Sequence, residues 1–190
     1  MNLAVLELIA ERLNQYEICW GLGASSMLYF YGIVDHPRDL DVLVQADHVE
    51  AAFHALKGYA DHIEFDESPP AKYATDFFAT LVIRQQEIDL IGGYKIKHYE
   101  GVYDFAMGPE RITAVRTIGK QPIPLTSLED WYVAYTVMGD PKGRKQLILD
   151  YVKEKNGFNH PNLFASALYR LEGYLKDQLL EELKELGVEV

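Results

Sequence analysis

A chain of 190 residues is long enough for one good core, or for a core carrying a helical appendage. Hydrophobic residues make up 48% and charged residues 25%, the composition of an ordinary globular protein, and the formal net charge is −11. Such acidity excludes holding a nucleic-acid backbone by bulk electrostatics, which needs clustered Lys and Arg, and leaves only local basic pockets. One cysteine, Cys19, cannot form an internal disulfide, and in its apolar run it reads as a small buried hydrophobe. Glu7 and Glu11 interrupt any signal-peptide or membrane-spanning pattern near the N-terminus, so the expected location is cytoplasmic.

Leu3, Leu6, Leu8, Ile9 and Leu13 recur near helical spacing and predict an amphipathic helix over 2–14. Residues 17–20 read as a first strand ending at Gly21. Ser25 or Ser26 is positioned to cap a short helix that runs to Tyr31 and stops at Gly32. After a loop over 33–38, residues 39–44 form a strand whose end, Val42-Leu43-Val44, is apolar on both faces. Asp47 is the expected cap of a helix to Gly58. Residues 66–71 read as an exposed loop, 77–84 as a strand, Gln85-Gln86 as a turn and 87–91 as the returning strand. Strand-like pieces at 94–99 and 112–118 flank a less legible middle.

The character changes from Pro122. Thr126-Ser-Leu-Glu129 has the form of a capping box opening an aromatic-rich helix that stops at Gly139. Asp140-Pro141 is the expected start of another helix, and a last one from about Pro161 carries Leu163, Phe164, Leu168, Leu171 and Leu175. The fold class expected is α/β (α+β): a small mixed sheet flanked by helices over 1–125, then a helical region over 126–190 packed on it.

The chemistry concentrates in residues 21–44. Two glycines, Gly21 and Gly23, open a turn, a short helix follows, and the next strand carries Asp39 and Asp41. Residues two apart in a strand share a face, so both carboxylates project together. Adjacent anions hold each other's protons, and a hard divalent cation between them relieves the repulsion. Asp89, between Ile88 and Leu90 on the returning strand, would come beside them.

This pattern resembles the nucleotidyltransferase superfamily typified by DNA polymerase beta, whose signature is a Gly-Gly/Ser turn, an Asp-x-Asp strand and a third carboxylate on a later strand. Among its branches the chain is most similar to small bacterial enzymes that include minimal nucleotidyltransferases and abortive-infection toxins. The resemblance implies a metal-dependent enzyme that moves a nucleoside monophosphate from a nucleoside triphosphate (NTP) to a hydroxyl and releases pyrophosphate. Two Mg²⁺ ions (or Mn²⁺), about 4 Å apart, are implied, held by Asp39, Asp41 and Asp89. At the turn, Gly23 and Ser25 would face the triphosphate, with either Gly23-Ala24 or Ala24-Ser25 filling the motif. Arg38 and Lys142 are the candidate basic contacts, and Asp104 and Glu129 are candidate general bases by position. The six histidines, His36, His48 and His54 among them, show no metal-ligand spacing. A fold relative without turnover, serving in nucleotide binding or as a toxin–antitoxin module, is the competing expectation. The acidity favours a small or cationic acceptor, such as an aminocyclitol-type antibiotic, over transfer RNA, and a protein hydroxyl stays open.

Overall fold

The structure, a computed structural model, describes residues 1–65 and 72–189; the loop expected at 66–71 lies outside them. Helix α1 (Leu3–Gln15) is capped by the Asn2 side chain and buries Val5, Leu6, Ile9, Ala10 and Leu13. Strand β1 (Trp20–Leu22) leads into α2 (Ala24–Phe30) and then β2 (Asp39–Val44). Helix α3 (Val49–Leu56) and strands β3 (His62–Phe65), β4 (Phe77–Ile83) and β5 (Gln86–Gly92) follow. A hairpin, β6 (Lys95–His98) with β7 (Gly101–Asp104), stands apart as its own small sheet. Strands β8 (Ile112–Ile118) and β9 (Gln121–Thr126) precede four helices, α4 (Leu128–Met138), α5 (Arg144–Glu154), α6 (Asn162–Tyr169) and α7 (Tyr174–Glu185).

The main sheet runs β3-β4-β5-β2-β1-β9-β8. Only β2–β5 and β1–β9 are parallel; the remaining neighbours are antiparallel, so the expected mixed sheet is observed. Alternation sorts the strands. Leu40, Val42, Ile88 and Leu90 are fully buried on one face, where α3 begins at Val49 against Gly92; a Cβ on Gly92 would stand 2.5 Å from the Val49 side chain. Leu43 and Ile91 lie on the other face, with α4 and its buried Trp131 over it. No helix among the described residues is long and apolar enough to cross a membrane.

Several local expectations shift. The β4–β5 turn is Arg84-Gln85, both with positive φ, rather than Gln85-Gln86. Strands β3, β7 and β9 carry weak sequence signals. Pro122 and Pro124 sit inside β9, tolerated because β1 meets β9 only at Leu22–Leu125 and asks no hydrogen bond of either proline. The C-terminal apolar pattern is split into α6 and α7 at Gly173, whose φ of +68° an L side chain resists. Neither Asp47 nor Ser25 nor Ser26 caps a helix. At α4 the cap is Ser127, accepting from the Asp130 N–H at 3.0 Å, while the Thr126 hydroxyl donates to the Leu22 carbonyl and accepts from the Trp131 indole.

Asp130 anchors a buried polar cluster behind α4. Its Oδ1 accepts from Arg111 Nη1 at 3.1 Å, and Arg111 Nη2 donates to Ser166 on α6 at 2.8 Å; Arg111 is 2% exposed and Asp130 0%. Burial pushes the Asp130 carboxyl up to about 6 against the pull of Arg111, so ionising it costs stability, and this group's contribution falls as pH rises from about 4 to about 6. Removing Arg111 leaves that anion uncompensated. Arg111→Met should therefore lose about 3–5 kcal/mol at pH 7.5 and clearly less at pH 5, where Asp130 takes up its proton. Urea unfolding at the two pH values reads the difference.

Candidate active site

The β2–β5 register sets Asp41 directly beside Asp89, and Asp39 beside Glu87. Asp39, Asp41 and Asp89 line one cavity of about 250 Å³, shared with Ala24 and Ser25 of α2 and with Lys142 and Arg144. Asp41 is clamped through its backbone. Its carbonyl accepts from the Gly23 N–H at 2.9 Å, and its N–H donates at 3.2 Å to the Ser26 hydroxyl, which itself donates to the Gly23 carbonyl. The Asp41 Oδ2 is enclosed and, among the described residues, has no partner.

Burial, and then the neighbouring Asp39 and Asp89, raise the Asp41 carboxyl well above the usual range, with Arg144 and Lys142 pulling the other way. Asp89 is also raised, by burial first. The Thr80 hydroxyl, donating to its Oδ1 at 2.8 Å, opposes that shift, and Asp39 and Glu87 add to it. The cavity also has an aromatic wall that sequence reasoning missed, Tyr73, Tyr94, Trp131 and Tyr135, with Met138 accepting from the Tyr73 and Tyr94 hydroxyls, and Lys72 and Asp140 line it too. These residues come from three separate segments: Trp131, Tyr135 and Met138 share one face of α4, but no spacing in the chain links them to Tyr73 or Tyr94. Burial raises the Tyr94 and Tyr135 phenols, so both stay protonated beside Asp41.

The turn works differently from the expectation. Gly23 does not line the cavity; a Cβ there would stand 2.4 Å from Trp131 Cζ2 and 2.6 Å from Leu43 Cδ1, so this glycine admits the core rather than a ligand. The strain falls on Ala24, at φ +41°, which sets Ser25 at the cavity. On the opposite wall the expected helix start at Asp140-Pro141 is a turn. Gly139, Asp140 and Gly143 all have positive φ, and α5 begins at Arg144 with the Asp140 carboxylate accepting from the Arg144 and Lys145 N–H groups at 2.6 and 3.0 Å. Lys142 and Arg144 thereby reach the cavity, and Arg144 Nη1 is enclosed with no partner among the described residues. Lys145 turns away to Glu182 at 2.6 Å.

Three expected participants lie elsewhere. Arg38 is exposed, outside the cavity lining, and among the described residues its one hydrogen bond is from Gln86 to its carbonyl. Asp104 accepts from the Ala106 N–H and Glu129 from the His160 N–H, each beside a different cavity, so neither can take a proton here.

As they stand, no three acidic, imidazole or thiol side chains among the described residues are placed to hold a metal ion. The donor set still suits a hard cation: oxygen ligands only, an unpartnered buried Asp41 oxygen, and anions whose charge is disfavoured until something positive joins them. Asp39, Asp41 and Asp89 are the residues that would close on it.

No protein-family model matches the sequence, and no curated protein matches it. Solved structures do. TM1012 from Thermotoga maritima, solved as a candidate nucleotidyltransferase, superposes with a TM-score of 0.61 over 80% of this chain and 92% of its own, at 20% identity. The chain has the nucleotidyltransferase fold. Two further structures share that fold with it. ANT(2'')-Ia, in complex with adenylyl-2''-tobramycin, matches with a TM-score of 0.55 over 81% of this chain and 91% of its own, at 11% identity. The lincosamide antibiotic adenylyltransferase LnuA, bound to lincomycin, matches at 0.51 over 78% and 94%, with 14% identity. Identities this low carry the nucleotidyltransferase fold alone.

Within this fold the Gly23 packing is testable by itself. Gly23→Ala should cost about 1–3 kcal/mol through overpacking against Trp131 and Leu43. Urea unfolding in EDTA measures that cost apart from any ligand. Unchanged stability would mean the turn has room that the structure denies it.

Proposed function

We propose that this chain is a metal-dependent nucleotidyltransferase, moving a nucleoside monophosphate from an NTP to a hydroxyl acceptor with release of pyrophosphate. The observation that supports it best is the pairing of Asp41 with Asp89 across parallel strands, inside a cavity whose other wall carries Lys142 and Arg144. Carboxylates facing cations across one cavity suit a substrate that is itself a polyanion bridged by metal. A divalent cation at the carboxylates supplies charge neutralisation for the phosphate oxygens. Lys142 and Arg144 would draw the β- and γ-phosphates, and the Ser25 hydroxyl would steady them from the α2 side. The acceptor oxygen forms a bond to the α-phosphorus, the bond from phosphorus to the pyrophosphate oxygen breaks, and the acceptor proton passes to a carboxylate. Asp89 is placed for that last role by its position beside Asp41 in the same cavity.

Charge and the neighbours both support one acceptor class. A chain of net charge −11 favours a small or cationic hydroxyl compound over a polyanion, and two of its structural neighbours were solved with antibiotic-derived ligands. A cytoplasmic setting belongs to the same reading. One observation favours a second reading, a nucleotide-binding module without turnover or a toxin–antitoxin component: the three carboxylates are not already gathered around a point.

Ligand linkage tests nucleotide binding. An NTP with Mg²⁺ should raise the melting temperature, by mass action about 2.7 kcal/mol at a hundredfold excess over Kd, and EDTA should abolish most of the rise. No shift with any of the four common triphosphates under saturating metal would end the nucleotide reading.

Asp89→Asn tests turnover. The folded carboxyl is raised, so its ionised form costs apo stability at neutral pH, a cost that appears as pH rises past about 4. The Asn oxygen can still accept from Thr80. In EDTA at pH 7.5 the variant should unfold at equal or higher urea than the parent, while transfer in Mg²⁺ falls by about 10²-fold or more. Strong apo destabilisation with unchanged activity per folded molecule would make Asp89 structural.

A further inference from the structure

The main sheet ends on β8, whose outer side has no strand beside it among the described residues. The opposite edge, β3, is four residues long and carries Glu64, whereas β8 has seven residues with neither proline nor lysine to blunt it. Val115 and Thr117 stand opposite Pro124 and Pro122, which have no N–H to give. The Pro122 carbonyl is turned away as well, accepting from Asn14 Nδ2 at 3.0 Å. The β8–β9 ladder bonds therefore run through Ala114, Arg116 and Ile118, and the N–H and C=O groups of Val115 and Thr117 point outward. Among the described residues no backbone group elsewhere takes them. Val115 is 54% exposed, so the middle of this edge is open.

The strand's own side chains say what fits there. Ile112-Thr113-Ala114-Val115-Arg116-Thr117-Ile118 reads the same in both directions, apart from the exchange of Ala114 and Arg116. Set antiparallel against itself about Val115, it pairs Ile112 with Ile118, Thr113 with Thr117 and Val115 with Val115, β-branched matches that stabilise a ladder. Two-fold symmetry brings like residues together here without opposing like charges. Arg116, the strand's one charge, meets Ala114 and lies over the Tyr31 ring at 5.7 Å. A two-fold centred one residue later would set Arg116 against Arg116. The register shift at Ile112–Ala114 lies at one end and leaves 114–118 continuous. An open apolar groove of about 240 Å³ adjoins that end, lined among others by Ile18, Trp20, Ile112, Val115 and Pro124. Ile118 of the second copy, opposite Ile112, would reach it.

We propose that β8 is a homodimer interface, pairing antiparallel with β8 of a second copy about a two-fold axis at Val115. The two sheets would become one, with β9 and β1 between the interface and the carboxylates on β2. No residue of β8 lines the carboxylate cavity, so the pairing is independent of the transferase reading.

Sedimentation equilibrium of the full chain reads the association. Across a concentration series to about 100 µM, the mass should climb reversibly from 21.7 kDa toward twice that value. Val115→Lys and Val115→Glu each set like charges across the axis and should weaken dimerisation by about tenfold or more. An equal mixture of the two should regain the double mass, because lysine then meets glutamate. Thr117→Pro removes an outward N–H that β9 does not use, so it should weaken the dimer and keep the fold. It is read instead if the Val115 variants fold poorly. A parent chain that stays monomeric, a mass that climbs past the dimer, full dimerisation in Val115→Lys or Thr117→Pro, or a mixture that stays monomeric overturns the proposal.

Discussion

Three carboxylates in a partly dry cavity are an electrostatic liability, and much of this structure is arranged to hold them there. Asp41 and Asp89 cannot drift apart, because each is a rung of the parallel β2–β5 ladder. Asp41 is held again from behind, where Gly23 and Ser26 bind its backbone on both sides. Thr80, across the antiparallel β4–β5 pair, supplies a hydrogen bond that favours the charged form of Asp89. Without these backbone and hydroxyl ties, repulsion would be relieved by side-chain rotation rather than retained as an appetite for cations.

The opposite wall is built by similarly local means. A turn with three positive-φ residues, Gly139, Asp140 and Gly143, joins α4 to α5, and Asp140, which also lines the cavity, uses its carboxylate to hold the first N–H groups of α5. That choice spends an anion on helix capping and leaves Lys142 and Arg144 free to face the acids. Glu182 on α7 takes Lys145 out of the same patch. The cavity therefore brings Lys142 and Arg144 together with Asp39, Asp41 and Asp89, a mixture of charges that suits a metal-bridged phosphate chain.

Buried carboxylates recur in this molecule with different solutions. Asp130 is met by Arg111 and Ser127, whereas Glu129, its neighbour on α4, points into a cavity with one backbone donor.

The local alphabet was enough for much of this. Alternation in Asp39-Leu40-Asp41 placed two carboxylates on one face, because side-chain period two is a property of any strand. The apolar flanks of Asp89 placed it on a strand, and the hairpin before it left β2 as a natural neighbour. Gly139 ended α4 as its αL preference requires. What the chain could not disclose is anything decided by contact between distant segments. Gly23 looked like a phosphate glycine, and only the docking of Trp131 shows that the missing Cβ makes room for the core. Arg38, Asp104 and Glu129 have the right chemistry, but Arg38 stays exposed beside the motif, and β7 and α4 set Asp104 and Glu129 at other cavities. The aromatic wall of Tyr73, Tyr94 and Tyr135 has no sequence signature, since an aromatic residue buried in a core and one lining a cavity follow the same hydrophobic pattern until the opposing surface is known.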